Sequence, residues 1–174
     1  MKQNFDACFA KVIKSEGGYV NDPADAGGET NLGVTIGAWG AYLNRAIQPG
    51  EMKALTVDTV KPFYKSMYWD KVKGDDLPVG VDYAVFDFAV NAGVSRAAKF
   101  LQRAAGAVDD GVVGSGTLAL VAKTTPGKLL ENFAEQKEAF YNTLAEKNPT
   151  QQKFLKGWMN RVASVQTAAT SMLA

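Results

Sequence analysis

The chain contains no histidine. Serine and cysteine nucleophiles that depend on an imidazole base are therefore excluded. So are the catalytic zinc centres built on two or three histidine ligands. Cysteine is nearly absent as well. Cys8 alone cannot close an internal disulfide, which is compatible with a reducing compartment. Its place in an apolar helix pattern assigns it to packing rather than to reactivity. Neither sign of charge dominates: 19 Lys and Arg stand against 18 Asp and Glu, a net charge of +1. A basic face for nucleic acid has no support in that balance, nor does a strong drive toward anionic cell walls or membranes. No window approaches the ~18 apolar residues of a membrane span. Residues 1–15 lack the apolar core of a signal peptide, since Lys11 and Lys14 interrupt them.

With 174 residues, 47% of them apolar and 21% charged, the chain is expected to be an ordinary globule with a substantial core. The periodicity predicts a mainly α fold. A first helix runs from about Asn4 to Glu16, with Phe5, Phe9, Val12 and Ile13 as its apolar stripe. Thr35 is expected to cap a helix reaching Ile47, and Thr56 a helix through Tyr68 that contains Pro62. An apolar helix is expected from Asp75 to about Gly93, and one capped by Ser95 with Ala97, Ala98, Phe100, Leu101 and Ala104 on one face. A short helix from Ser115, a long one from Pro126 to Lys147 and a last one over 150–172 complete the pattern. At most a small hairpin is expected, near residues 19–34. The break at 92–94 suggests a catalytic region over 1–91 and a helical region over 92–174, packed together as one unit.

What stands out is the segment 15–35, where Glu16, Asp22, Asp25 and Glu29 fall within fifteen residues in a loop rich in glycine. In a chain without histidine, carboxylates are the carriers of acid–base chemistry, and the main hydrolytic class that they run alone is glycoside hydrolysis. On a helical wheel Glu16 lands within ~20° of Phe5, inside the apolar stripe. Partial burial and the negative end of the helix both favour a protonated carboxyl there, as a general acid requires. Gly17 and Gly18 would let a sugar chain approach closely. Asp25, or failing that Asp22, is the candidate for stabilising charge on the sugar or holding water, with Thr30 as an orienting hydroxyl. Asp22 before Pro23 reads more as a turn former, and Glu29 as a solvated loop charge. Tyr19 and the Tyr68–Trp69 pair are the better candidates for sugar-stacking surfaces; most other aromatics at helical spacing read as core.

These residues resemble a known family. Ser-Glu-Gly-Gly-Tyr at 15–19, followed by Asn-Asp-Pro-x-Asp-x-Gly-Gly-x-Thr-Asn-x-Gly-Val-Thr at 21–35, is similar to the glycoside hydrolase 108 muramidases. Tyr64 to Asp70 also matches that family's pattern. So do Asp-Phe-Ala-Val-Asn-Ala-Gly at 87–93, Val-Asp-Asp-Gly-Val-Val-Gly at 108–114 and Phe-Leu-Lys-Gly-Trp-Met-Asn-Arg at 154–161, these last in its peptidoglycan-binding half. The resemblance implies a lysozyme-like fold and a monomer that needs no metal or cofactor. Its partner would be bacterial peptidoglycan, cut at the β-1,4 bond between N-acetylmuramic acid and N-acetylglucosamine, with Glu16 as the catalytic acid. The nine-residue step from Glu16 to Asp25 is also that of the phage-type lysozymes' acidic pair. A lytic transglycosylase or a non-catalytic peptidoglycan-binding module are the alternatives. The expected setting is the bacterial cytoplasm until a holin or a secretion system lets the protein reach the wall, which suits a phage endolysin, a prophage remnant or a wall-remodelling enzyme for secretion equally well.

Overall fold

The structure is a computed structural model that describes residues 4–21 and 28–174. Its elements run α1 (Asn4–Ile13), β1 (Thr30–Asn31), β2 (Val34–Thr35), α2 (Ile36–Leu43), α3 (Val57–Tyr64), α4 (Val81–Ala92), α5 (Val94–Ala104), α6 (Ser115–Lys123), α7 (Pro126–Lys147) and α8 (Leu155–Ser171). A π-helical turn, Lys65–Trp69, continues α3, and 3₁₀ turns occupy Gly74–Asp76 and Pro149–Phe154. The fold is thus mainly α with one small antiparallel hairpin, as the periodicity predicts. The described residues divide into two units, Phe5–Met67 on the one hand and Asn4 with Tyr68–Ala174 on the other.

In the Phe5–Met67 unit, α1 buries Phe5, Cys8, Phe9 and Val12. The helix stops at Ile13, three residues before the expected end at Glu16. Ser15 N–H turns back to Val12 O at 3.0 Å and Glu16 N–H to Ile13 O at 3.2 Å, so the chain tightens into i→i−3 bonding before the glycines arrive. Thr35 caps α2 as expected, its hydroxyl accepting from Ala38 N–H at 3.2 Å. The helix does not reach Ile47. Asn44 takes the left-handed conformation (φ 52°) and its N–H closes on Gly40 and Ala41 carbonyls, a role that asparagine fills at helix ends. Beyond it, the Arg45 fork grips both Glu51 carboxylate oxygens at 2.9 and 2.6 Å. That contact, reinforced by Gln48 N–H, holds the Glu51 carboxyl at about 2. Thr56 caps α3 through Thr59 N–H. Pro62 sits inside α3 without ending it; the ladder slips into π register directly afterwards, one known way of absorbing a missing donor. The core here is aromatic, with Tyr64 against Phe9 at 5.4 Å and Phe63 against Trp39 at 5.9 Å between ring centroids.

In the helical unit, α4 starts at Val81, later than expected, because a 3₁₀ turn and Pro78 precede it. Its residues Val81 to Ala89 are all buried, the pattern of a helix at the centre of its unit. Gly93, not Ser95, precedes the first turn of α5. The predicted face of α5 is the buried one: Ala97, Ala98, Phe100, Leu101 and Ala104 all lie inside. Phe88 of α4 meets Phe100 at 5.0 Å and Phe133 of α7 at 5.8 Å, tying three helices through one ring cluster.

Candidate active site

The site forms where the end of α1 meets the hairpin. Glu16 is half-buried just beyond α1, followed by exposed Gly17, Gly18 and Tyr19. Val20 pairs with Thr30 through reciprocal N–H···O bonds of 2.8 and 2.9 Å. Thr30 in turn faces Thr35 across the hairpin. Thr30 is therefore bracketed by backbone on both sides, and its position relative to the Glu16 segment is set by the ladder.

The two-residue connection between β1 and β2 is Leu32–Gly33, with φ of 50° and 74°. Both values are positive, as in the type I′ hairpin turn. Leucine rarely accepts this conformation. Here it is fixed from outside: the buried Tyr64 hydroxyl donates to Leu32 O at 2.8 Å. The turn also comes against the acid. A Cβ at Gly33 would lie 2.6 Å from Glu16 Oε2 and 2.5 Å from Tyr64 Oη, so both oxygens point at the bare face of this glycine. Asn31, buried beside the turn, anchors it by donating from Nδ2 to Met52 O at 2.9 Å.

Glu16, Gly17, Gly18, Tyr19 and Thr30 are thus assembled in one unit around the hairpin. Asp22 and Asp25 lie outside the described residues. Tyr19 is exposed and donates to Glu29 Oε2 at 3.1 Å; Glu29 is half-buried with that partner rather than a free loop charge. Tyr68 is half-buried and belongs to the other unit. Trp69, in that same unit, is fully buried. Its indole packs edge-on against Phe86 at 5.4 Å and donates to Asp75 Oδ1 at 3.1 Å. That placement makes Trp69 a core side chain with no face turned to a ligand. Two residues beside Glu16, Gly33 and Tyr64, stand in the motifs read from the sequence but were given no part at the carboxylate there. Leu-Gly between two short extended pieces is a hairpin signal, but nothing local shows that this turn meets residue 16. Among the described residues no three His, Cys, Asp or Glu side chains converge as metal ligands do.

The sequence profile described as Glycosyl hydrolase 108 matches residues 9–93, which contain this site. A second profile, described as Predicted Peptidoglycan domain, matches residues 96–163. The solved structure of Brucella abortus SagA superposes with a TM-score of 0.85 at 38% identity, covering 99% of this chain and 97% of that one. The chain belongs to the glycosyl hydrolase 108 family. Among curated proteins none matches it. As a member of that family carrying a peptidoglycan domain, the chain is a glycoside hydrolase that acts on peptidoglycan. None of its described helices is long and apolar enough to cross a membrane.

Proposed function

We propose that this glycosidase is a muramidase, cutting the β-1,4 bond between N-acetylmuramic acid and N-acetylglucosamine with Glu16 as general acid. The observation that carries this reading is the seat of the Glu16 carboxylate. It is half-buried, followed on the chain by two exposed glycines, and turned toward a glycine in the hairpin. Partial desolvation favours a carboxyl that keeps its proton until the leaving oxygen takes it. The two exposed glycines leave room for a sugar ring beside the acid. Glu16 donates its proton to the glycosidic oxygen as the C1–O bond breaks. Asp25, or Asp22 in its place, stabilises the oxocarbenium-like centre or takes a proton from the attacking water, with Thr30 orienting that water. Water delivers the hydroxyl that ends on C1.

The test is Glu16→Gln, which keeps the shape and removes the proton. Turbidity clearing of bacterial walls should fall by at least ~10³-fold, in keeping with loss of a general acid together with its charge, while circular dichroism stays unchanged. Mass spectrometry of wild-type digests should find reducing-end N-acetylmuramic acid. A 1,6-anhydro product would mean that the sugar's own hydroxyl attacks, and would replace the hydrolase with a lytic transglycosylase.

A further inference from the structure

The peptidoglycan domain carries a groove along α5 and α7 that no site described so far uses. One part, about 620 Å³, lies between Phe100 and Arg103 of α5 and Glu135, Gln136 and Phe140 of α7. A second part, about 410 Å³, continues from Phe100 and Arg103 to Arg96 and Lys99. Arg96, Lys99 and Arg103 follow one another at spacings of three and four along α5, so they form a row on one helix face. The floor is fixed. Phe100 and Phe140 meet at 5.9 Å between ring centroids. Gln136 Nε2 donates to Phe100 O at 3.0 Å, and Asn132 Nδ2 to Ala104 O at 3.1 Å, so both α7 amides clamp α5.

The charges on this floor are only partly compensated. Arg103 is paired with Asp109 at 2.6 Å. Arg96 spends one donor on Ala92 O and lies over the Phe140 ring at 4.7 Å, but it meets no carboxylate within salt-bridge distance among the described residues. Nor does Lys99, although Asp109 and Asp110 lie within its electrostatic reach. Across the groove, Glu135 has no cationic partner at that distance either and interacts with Lys128 only at longer range. The result is a cationic wall on α5, an acidic residue on α7 and an aromatic floor already covered by guanidinium groups. Covered rings do not offer the open faces on which sugars stack. Of the two components of peptidoglycan, the glycan backbone is uncharged, whereas the stem peptide carries both carboxylates and an amine.

We propose that this groove binds the stem peptide of peptidoglycan, with Arg96 and Lys99 taking its carboxylates and Glu135 its amine. The proposal rests on peptidoglycan being the substrate polymer and names which part of that polymer the helical unit reads. A bidentate guanidinium–carboxylate contact suits Arg96, whose cation–π seat already orients the fork.

The test uses the full chain with Glu16→Gln, so that the wall survives the measurement, with and without Arg96→Ala and Lys99→Ala. Co-sedimentation is measured on walls stripped of phosphate-bearing polymers, alone and with a soluble competitor, either a stem tetrapeptide or the stem-free glycan strands that an amidase releases. A soluble stem tetrapeptide is titrated in parallel by NMR. The parent should sediment with stripped walls, be displaced from them by the tetrapeptide, and shift amide resonances of α5 and α7 with the tetrapeptide. The double variant should bind at least tenfold more weakly with an unchanged melting temperature. Lys99→Glu, a single surface reversal, should weaken binding in the same way, and added salt should weaken the parent more than the variants. Failure of the tetrapeptide to displace the parent or to shift α5 and α7 overturns the proposal, and so does retention only by walls that keep their phosphate polymers. The tetrapeptide contains no glycosidic bond, so its titration reads the groove whether or not Glu16 is the acid.

Discussion

At the scale of single residues, Gly33 is where one methyl group reports on Glu16, the proposed acid. Its backbone is in the left-handed region, and its missing Cβ is the space into which Glu16 and Tyr64 point. Gly33→Ala therefore combines backbone strain with displacement of the carboxylate. A shift of the acid by about an ångström is enough to cost on the order of 10²-fold in rate, and we expect kcat to fall by that order with KM little changed. Tyr64→Phe removes the hydroxyl that fixes Leu32 O at 2.8 Å. It should cost about 1–2 kcal/mol of stability by urea denaturation and a smaller loss of kcat than Gly33→Ala. If Gly33→Ala left kcat intact while lowering stability, the glycine would serve the hairpin alone. Glu16 was singled out in the sequence by the periodicity of α1, although that helix stops at Ile13 and does not carry the period as far as residue 16. Its neighbours were not placed beside it, since residues 32, 33 and 64 reach it through tertiary packing that no local spacing encodes.

At the scale of elements, the segment joining α5 to α6 shows how much one buried side chain can organise. Val108 is 84% exposed and Val112 70%, so of the three valines in this loop only Val113 is buried. Gln102, fully inside, supplies the polar anchor. Its amide nitrogen is within hydrogen-bonding distance of Asp110 Oδ1 (2.7 Å), Val112 O (3.0 Å) and Thr117 Oγ1 (3.1 Å), and its oxygen accepts from Gly111 N–H at 2.9 Å. The same contact, with Val112 N–H, holds the Asp110 carboxyl below its usual range. Gln102→Leu keeps the volume and leaves several polar groups without partners, a loss of about 2–4 kcal/mol. Urea denaturation should show it directly, and faster hydrogen exchange should appear at Gly111 and Val112. A variant as stable as the parent would mean that the loop is held by other contacts. Asp-Asp-Gly was readable as a turn from composition alone. Gln102 was not, because a lone glutamine among alanines on a helix gives no sign of four partners. The same contrast explains the helix ends. The Thr35 and Thr56 caps are local chemistry and were legible, whereas the stop of α2 at Asn44 was hidden behind an apolar pattern that continued to Ile47.

At the scale of the whole chain, near-neutral net charge conceals a cluster of charge in the interior. Asp87 of α4 is buried, with Arg161 of α8 at 2.7 Å and Lys137 of α7 at 3.9 Å. The Lys137 ammonium also lies over the Phe88 and Phe133 rings. Three helices are thus joined through one carboxylate. Periodicity could place these helices but not this cluster, since it scores Lys137 and Asp87 as polar and expects them outside. Burial pushes the Lys137 ammonium down to about 8; Asp87 opposes that shift and Arg161 adds to it. The ordinary value is 10.5, so between these two pH values the unfolded chain holds a proton at this lysine that the folded chain has released. Stability then rises with pH across that window, and the contribution is lost as pH falls through about 8. Lys137→Met removes the proton and keeps much of the volume. Tyr141, whose phenol is also pushed up by burial and by Asp87, stays in both proteins and largely cancels from the comparison. Urea denaturation at a series of pH values should show the wild type gaining on Lys137→Met from pH 8 upward, by an amount on the order of 3 kcal/mol at most. Parallel curves would show instead that Lys137 keeps its ordinary affinity for the proton, with Asp87 compensating in full for its burial.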